Sequence, residues 1–90
     1  MPRWFVGLGE RAKNDFNKLD RPIQKDVLKR LEWLRENFDY LAPLSLGNEW
    51  KGFFKLRVRD WRVVYQIDDK NLRIVVRYID RRDKIYKRRK

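Results

Sequence analysis

The hydrophobic residues of this chain keep two different periods, and the change from one to the other restricts it to one class of fold. Ile23, Val27, Leu31, Leu34 and Phe38 recur at the spacing of a single helix face. Beyond Gly52 the period falls to two. Phe54, Leu56 and Val58 alternate with Lys55, Arg57 and Arg59, and Leu72, Ile74, Val76 and Tyr78 alternate with Arg73, Val75, Arg77 and Ile79. Helical repeat first and strand repeat afterwards is the pattern of an α+β domain, in which helices cover one face of a sheet.

The remaining elements follow from local signals. Residues 3–8 are aromatic and β-branched enough for a short opening strand, which Gly9-Glu10 ends. From Glu10 to Leu19, the spacing of Ala12, Phe16 and Leu19 predicts a first helix. Asp20 suits an N-cap and Pro22 a first helical turn, so a second helix of about 18 residues should run to near Tyr40, before Pro43. The two helices should form an antiparallel hairpin. Residues 42–52, with Pro43, Gly47 and Gly52, read as a loop. Strands follow at Phe53–Val58, Trp61–Ile67 and Leu72–Ile79, with Asp68-Asp69-Lys70-Asn71 as a hairpin turn. The expected order is βααβββ, a single domain over 1–90 with two helices on one face of a small antiparallel sheet.

Charge then says what the other face meets. Residues 1–50 hold 9 Lys and Arg against 8 Asp and Glu, whereas residues 51–90 hold 15 against 5. An excess confined to the strand-rich part points to a polyanion, bound through counterion release. Lys55, Arg57 and Arg59 supply one row of cations, Arg62 returns beside them, and Arg73 and Arg77 extend the surface. Arg81 and Lys87 belong to a basic tail that adds affinity for a nucleic acid.

The chain has no cysteine and no histidine. A disulfide scaffold, a thiolate nucleophile and the usual neutral-pH general base are therefore excluded. Asp68-Asp69 lacks a third ligand, so no metal and no small-molecule cofactor is expected. No apolar run approaches the roughly 20 residues that span a bilayer, and a cytoplasmic protein without a membrane partner is the expectation. Trp33, Trp50 and Trp61 read as core or rim packing.

Trp50-Lys-Gly-Phe-Phe-Lys-Leu-Arg-Val-Arg-Asp-Trp-Arg-Val-Val-Tyr65 and Ile79-Asp-Arg-Arg-Asp-Lys-Ile-Tyr86 carry a resemblance. In these stretches and in the order of its elements, the chain resembles the RelE/ParE toxin superfamily, specifically the RelE branch of ribosome-dependent messenger-RNA endonucleases. The resemblance implies the RelE-like microbial RNase fold and an antitoxin of the RelB type as partner, together with the ribosome and its messenger. It places the family's active-site basic residues on Lys55 and Arg57 and its phosphate-binding arginine on Arg62. Its arginine after the last strand falls on Arg82, and its C-terminal tyrosine on Tyr86. Three departures stand out: Arg57 where many relatives have Lys, Arg59 where the turn has Gly, and Asp80-Arg81 where some carry Gly-His.

The resemblance implies attack by a ribose 2′-hydroxyl on its own 3′-phosphate. Arginine does not deprotonate, so Arg57 and Arg62 are cast as phosphate clamps with planar forks. Lys55 is the first candidate for the base, with a neutral Tyr86 as the alternative; Arg82 stabilises or protonates the leaving group, and Tyr86 otherwise stacks on or orients a nucleobase. A basic RNA- or ribosome-binding module without catalysis is the first rival. The second is the ParE-type branch, which poisons DNA gyrase on the same fold and generally lacks the Lys55, Arg62, Arg82 and Tyr86 set.

Overall fold

The structure, a computed structural model, describes residues 3–47 and 50–87, and of Tyr86 the backbone only. β1 (Phe5–Leu8) is followed by α1 (Glu10–Asn17) and α2 (Arg21–Asn37), then a 3-10 turn at Phe38–Tyr40. β2 (Leu44–Ser45), β3 (Phe54–Val58), β4 (Trp61–Asp68) and β5 (Arg73–Arg81) complete the sheet, and a second 3-10 turn spans Ile85–Lys87. Two helices thus pack on a five-stranded sheet of order β1-β5-β4-β3-β2.

The helices form where the apolar stripe demands. Val27, Leu31 and Leu34 on α2 and Ala12 on α1 are buried against Leu56, Val58, Val63, Tyr65, Ile74, Val76 and Ile79 of the sheet. Asp20 is the N-cap of α2 through its backbone conformation alone, since its side chain makes no capping bond. The helix ends three residues short of Tyr40, because its last turn tightens to 3-10 geometry as Phe38 enters the core. Phe38 meets Trp4 edge-on, with ring centroids 4.6 Å apart. The Trp4 indole donates to Asp39 at 2.9 Å and Arg3 donates to both oxygens of the same carboxylate. These bonds, Arg3 first and Trp4 second, hold the Asp39 carboxyl below the usual carboxylate range.

Two features differ from the expectation. β1 runs parallel to β5, so the sheet is mixed, not wholly antiparallel. Strand periodicity fixes which side chains face the core but not which neighbour a distant strand chooses. The stretch expected as loop also supplies β2, which pairs Leu44 with Lys55 and Ser45 with Phe54. Beyond the end of β1, α1 covers the rim of β5, where the Asp15 carboxylate accepts the Ile79 N–H at 3.0 Å.

The face away from the helices is not a bare cationic surface. Trp50, Val64, Tyr78 and Ile85 are buried there as a second cluster, with Leu46 and Phe53 packed against it. Trp50 meets Phe53 and Tyr78 edge-on at 5.3 and 5.7 Å. Gly52, at φ +84°, takes a left-handed conformation that other residues adopt only with strain, and it turns the chain so that Phe53 can enter this cluster. The loop before β3 and the segment after β5 are thereby held on the open face, with cations around the aromatic patch.

Candidate active site and nucleic-acid interface

The β3–β4 hairpin builds the site. Val58 pairs with Trp61, leaving Arg59-Asp60 as a two-residue loop, and Arg57 lies directly opposite Arg62. Such loops need a positive φ at their first residue to match strand twist. Arg59 supplies it at φ 55°, a conformation that glycine takes without cost. Like charges directly opposite one another repel, and Arg62 answers by folding back over the turn. Its Nη1 donates to the Arg59 carbonyl at 3.1 Å and the Trp61 carbonyl at 2.8 Å.

Arg82 reaches the same turn from the other side. Its N–H donates to the Asp60 carbonyl at 2.8 Å, which anchors the residue after β5 beside the β3–β4 loop. Lys55 shares the open face two residues before Arg57 and is half-buried beside Leu44 of β2. Of the candidates, the structure thus gathers Arg57, Arg62 and Arg82 around one turn, with Lys55 adjoining. Tyr86 follows the buried Ile85 in the 3-10 turn at the end of this segment, and its side chain lies outside the described residues. Arg88 to Lys90 of the tail also lie outside them.

The outlying cations divide. Arg59 leaves the alternation, because the strand has already ended at Val58, and its Nε pairs with Asp26 of α2 at 2.5 Å. It therefore reaches the helix side of the sheet. Arg81 lies opposite Trp61 and sits over its indole at 5.7 Å, also on the side of the sheet that packs on the helices. Arg73 stands at the far end of the sheet opposite Asp68 and Phe5. Arg77 donates to Gln66 at 2.8 Å. Lys87 is exposed at the end of the terminal 3-10 turn.

Three residues join this surface that sequence reasoning left out. Asp80 pairs across the strands with Arg62, giving the row Arg57, Arg62, Asp80, and one of its oxygens accepts the Arg81 N–H at 2.8 Å. Its signal in the sequence was the place where some relatives carry Gly-His. Arg11 of α1 lies over the Tyr78 ring at 5.2 Å, and Arg30 of α2 donates to the Arg57 carbonyl at 3.3 Å. Nothing in their local pattern announced either contact. Among the described residues, no group of three or more acidic side chains is placed to hold a metal ion.

Arginines gathered around one turn, with a lysine on the same strand, are residue types that can grip phosphate oxygens and stabilise added negative charge. A family profile described as the ParE toxin of type II toxin-antitoxin system, parDE, matches residues 6–86. The toxin-antitoxin complex RelBE2 from Mycobacterium tuberculosis superposes with a TM-score of 0.77 at 25% identity, over 87% of this chain and 96% of that one. The isolated E. coli RelE toxin gives 0.73 at 24% identity, over 87% and 83%. The archaeal RelE-RelB complex from Pyrococcus horikoshii OT3 gives 0.70 at 17%, over 91% and 97%. No curated protein matches by sequence. Because the profile runs from within β1 into the final 3-10 turn, the chain belongs to the ParE toxin family of type II toxin-antitoxin systems, within the RelE/ParE superfamily.

Proposed function

We propose that this toxin is a metal-independent endoribonuclease that cleaves messenger RNA in the ribosomal A site. The observation that carries the reading is the register setting Arg57 opposite Arg62, with Arg82 bonded to the same turn through Asp60. In this reading the ribose 2′-oxygen attacks its own 3′-phosphorus, the bond to the 5′-oxygen breaks, and a cyclic phosphate and a 5′-hydroxyl result. Lys55, as the neutral amine, takes the 2′ proton, Arg57 and Arg62 clamp the non-bridging oxygens, and Arg82 meets the charge that develops on the leaving 5′-oxygen, which takes its proton from water. Tyr86 orients the nucleobase by stacking. A site poor in proton-transfer groups gains from a ribosome that bends the messenger into line, because orientation alone lowers the barrier. Work on ribosomes places the protein in the cytoplasm. The partner that restrains it is an antitoxin of the RelB type, as in the related complexes from M. tuberculosis and P. horikoshii.

The wording of the matching profile favours one second reading, a ParE-type inhibitor of DNA gyrase. Primer extension on a defined messenger, with and without programmed ribosomes, separates the two. The endonuclease gives cuts at the A-site codon only when ribosomes are present, and Arg82→Ala lowers the cleavage rate by about 100- to 1,000-fold, the usual loss for a missing transition-state donor. No cuts from the wild type, with gyrase supercoiling blocked in a parallel assay, would replace this reading with the second.

A further inference from the structure

We infer that the cleft between α2 and the outer edge of β3 is a second anion site, which holds ribose-phosphate backbone of RNA away from the scissile bond. Among the described residues, β2 pairs with β3 at Phe54 and Lys55 only, and from Leu56 to Val58 that edge of the sheet meets no further strand. Arg30 reaches across from α2 to the Arg57 carbonyl on this edge. Beyond that bond lies a cleft of about 470 Å³, lined by Asp26, Lys29, Arg30, Arg57, Val58 and Arg59.

Four of those six residues are cations and one is a carboxylate, giving a net charge of +3 from 4 − 1. Val58 is the sole apolar wall. A protein partner needs apolar surface to bury at the centre of its interface, and this cleft offers almost none. A phosphate backbone needs only positioned cations, and it binds them without reading sequence. The cleft also begins where the candidate active site ends, since Arg57 belongs to both. An RNA strand gripped at the β3–β4 turn could continue round the edge of the sheet onto α2.

Asp26 sets how strongly. Its carboxylate holds Arg59, the cation of the turn, and so withholds one positive charge from an incoming phosphate. Removing the carboxylate should therefore increase RNA affinity, an effect that no loss of folding can imitate.

The inference requires RNA binding and not cleavage, so it is tested on naked RNA. A short fluorescein-labelled hairpin is titrated with the full chain between about 50 and about 200 mM salt, and log affinity is plotted against log salt. Lys29→Gln should make the slope shallower by about one, and Asp26→Asn should make it steeper by about one, as one phosphate contact is lost or gained. Each contact is worth about threefold in affinity across that salt range. Lys70→Gln and Asp69→Asn make the same charge changes in the turn between β4 and β5, and should shift the slope by less than half as much. Equal shifts at the two places would assign the binding to net charge and overturn the inference. So would unchanged slopes for Lys29→Gln and Asp26→Asn, or displacement of the hairpin by polyglutamate as readily as by unlabelled RNA. If ribosomal cleavage fails while these shifts hold, the endonuclease reading falls and the cleft stands.

Discussion

Replacing Ile85 by alanine should release the segment after β5 from the sheet while the rest of the domain stays folded. Ile85 is 0% exposed, although Arg82, Asp83 and Lys84 before it are all exposed. Its socket is the cluster of Trp50, Val64 and Tyr78 on the face opposite the helices, separate from the main core. The segment's own hydrogen bonds, Lys84 to Arg81 and Lys87 to Lys84, both at 3.0 Å, lie within it and do not dock it. Among the backbone bonds of the described residues, the one from Arg82 to Asp60 fastens its base. Buried Ile-to-Ala changes cost about 2–5 kcal/mol, and the low end applies where the surroundings can close over the gap, as loops at a surface can. About 2 kcal/mol corresponds to roughly 30-fold in the docking equilibrium.

Limited trypsin digestion under native conditions reads that equilibrium, because cleavage tracks the open population when reclosing is fast. Cutting after Lys84 should accelerate roughly 30-fold in Ile85→Ala, with the thermal midpoint of the remaining core nearly unchanged. If the same 2 kcal/mol came from the global fold, the midpoint of a domain this size would fall by about 8–16 °C. A fall of that size, without preferential cutting after Lys84, would refute the view that one side chain docks the segment bearing Arg82 and Tyr86.

Other consequences follow from the turn and from the carboxylates. Arg59→Gly removes a left-handed strain of about 1–2 kcal/mol and an exposed ion pair worth at most about 1 kcal/mol, so urea denaturation should show stability unchanged or raised by about 1 kcal/mol. A clear loss would mean that the pair with Asp26 outweighs the strain. Asp39 titrates below its ordinary range when folded, chiefly through Arg3, so its contribution is present above the unfolded value near about 4 and is lost as pH falls through the folded one. Asp68, held low by Asn71, and Glu32, held low by Arg35, act in the same direction. Stability followed by circular dichroism should decline below about pH 4, and Asp39→Asn should flatten part of that decline; an unchanged acid limb would contradict the assignment.

Much of this architecture could be read before any coordinates. The stripe from Ile23 to Phe38 placed α2, and the alternation through Leu56 placed one face of β3 in the core and Lys55 and Arg57 on the other. What escaped is non-local. No local signal tells β1 to lie parallel to β5, or a two-residue strand at Leu44–Ser45 to join the edge. Trp50 was legible as a packing residue, but its burial on the open face depends on a loop closing over Val64 and Tyr78. The position of Asp80 beside Arg62 depends on the register between β4 and β5, which shifts at Val64/Tyr65, and a shift of that kind cannot be counted from sequence. Arg59 was placed by alternation on the face of Arg57. It turns the other way because the tight loop, not the strand, sets its backbone.

The account stands on one chemical claim, that the arginines around the β3–β4 turn act on a phosphate attacked by its own 2′-hydroxyl. The most direct test is single-turnover cleavage, on saturating ribosomes, of a messenger carrying one 2′-deoxyribose at the scissile position. The claim predicts that cleavage at that position disappears while the toxin still binds the programmed ribosome, and that the all-ribose control yields a 2′,3′-cyclic phosphate and a 5′-hydroxyl. Continued cutting at the deoxy position would show that another nucleophile does the work, and the roles proposed for Lys55, Arg57, Arg62 and Arg82 would fall with it.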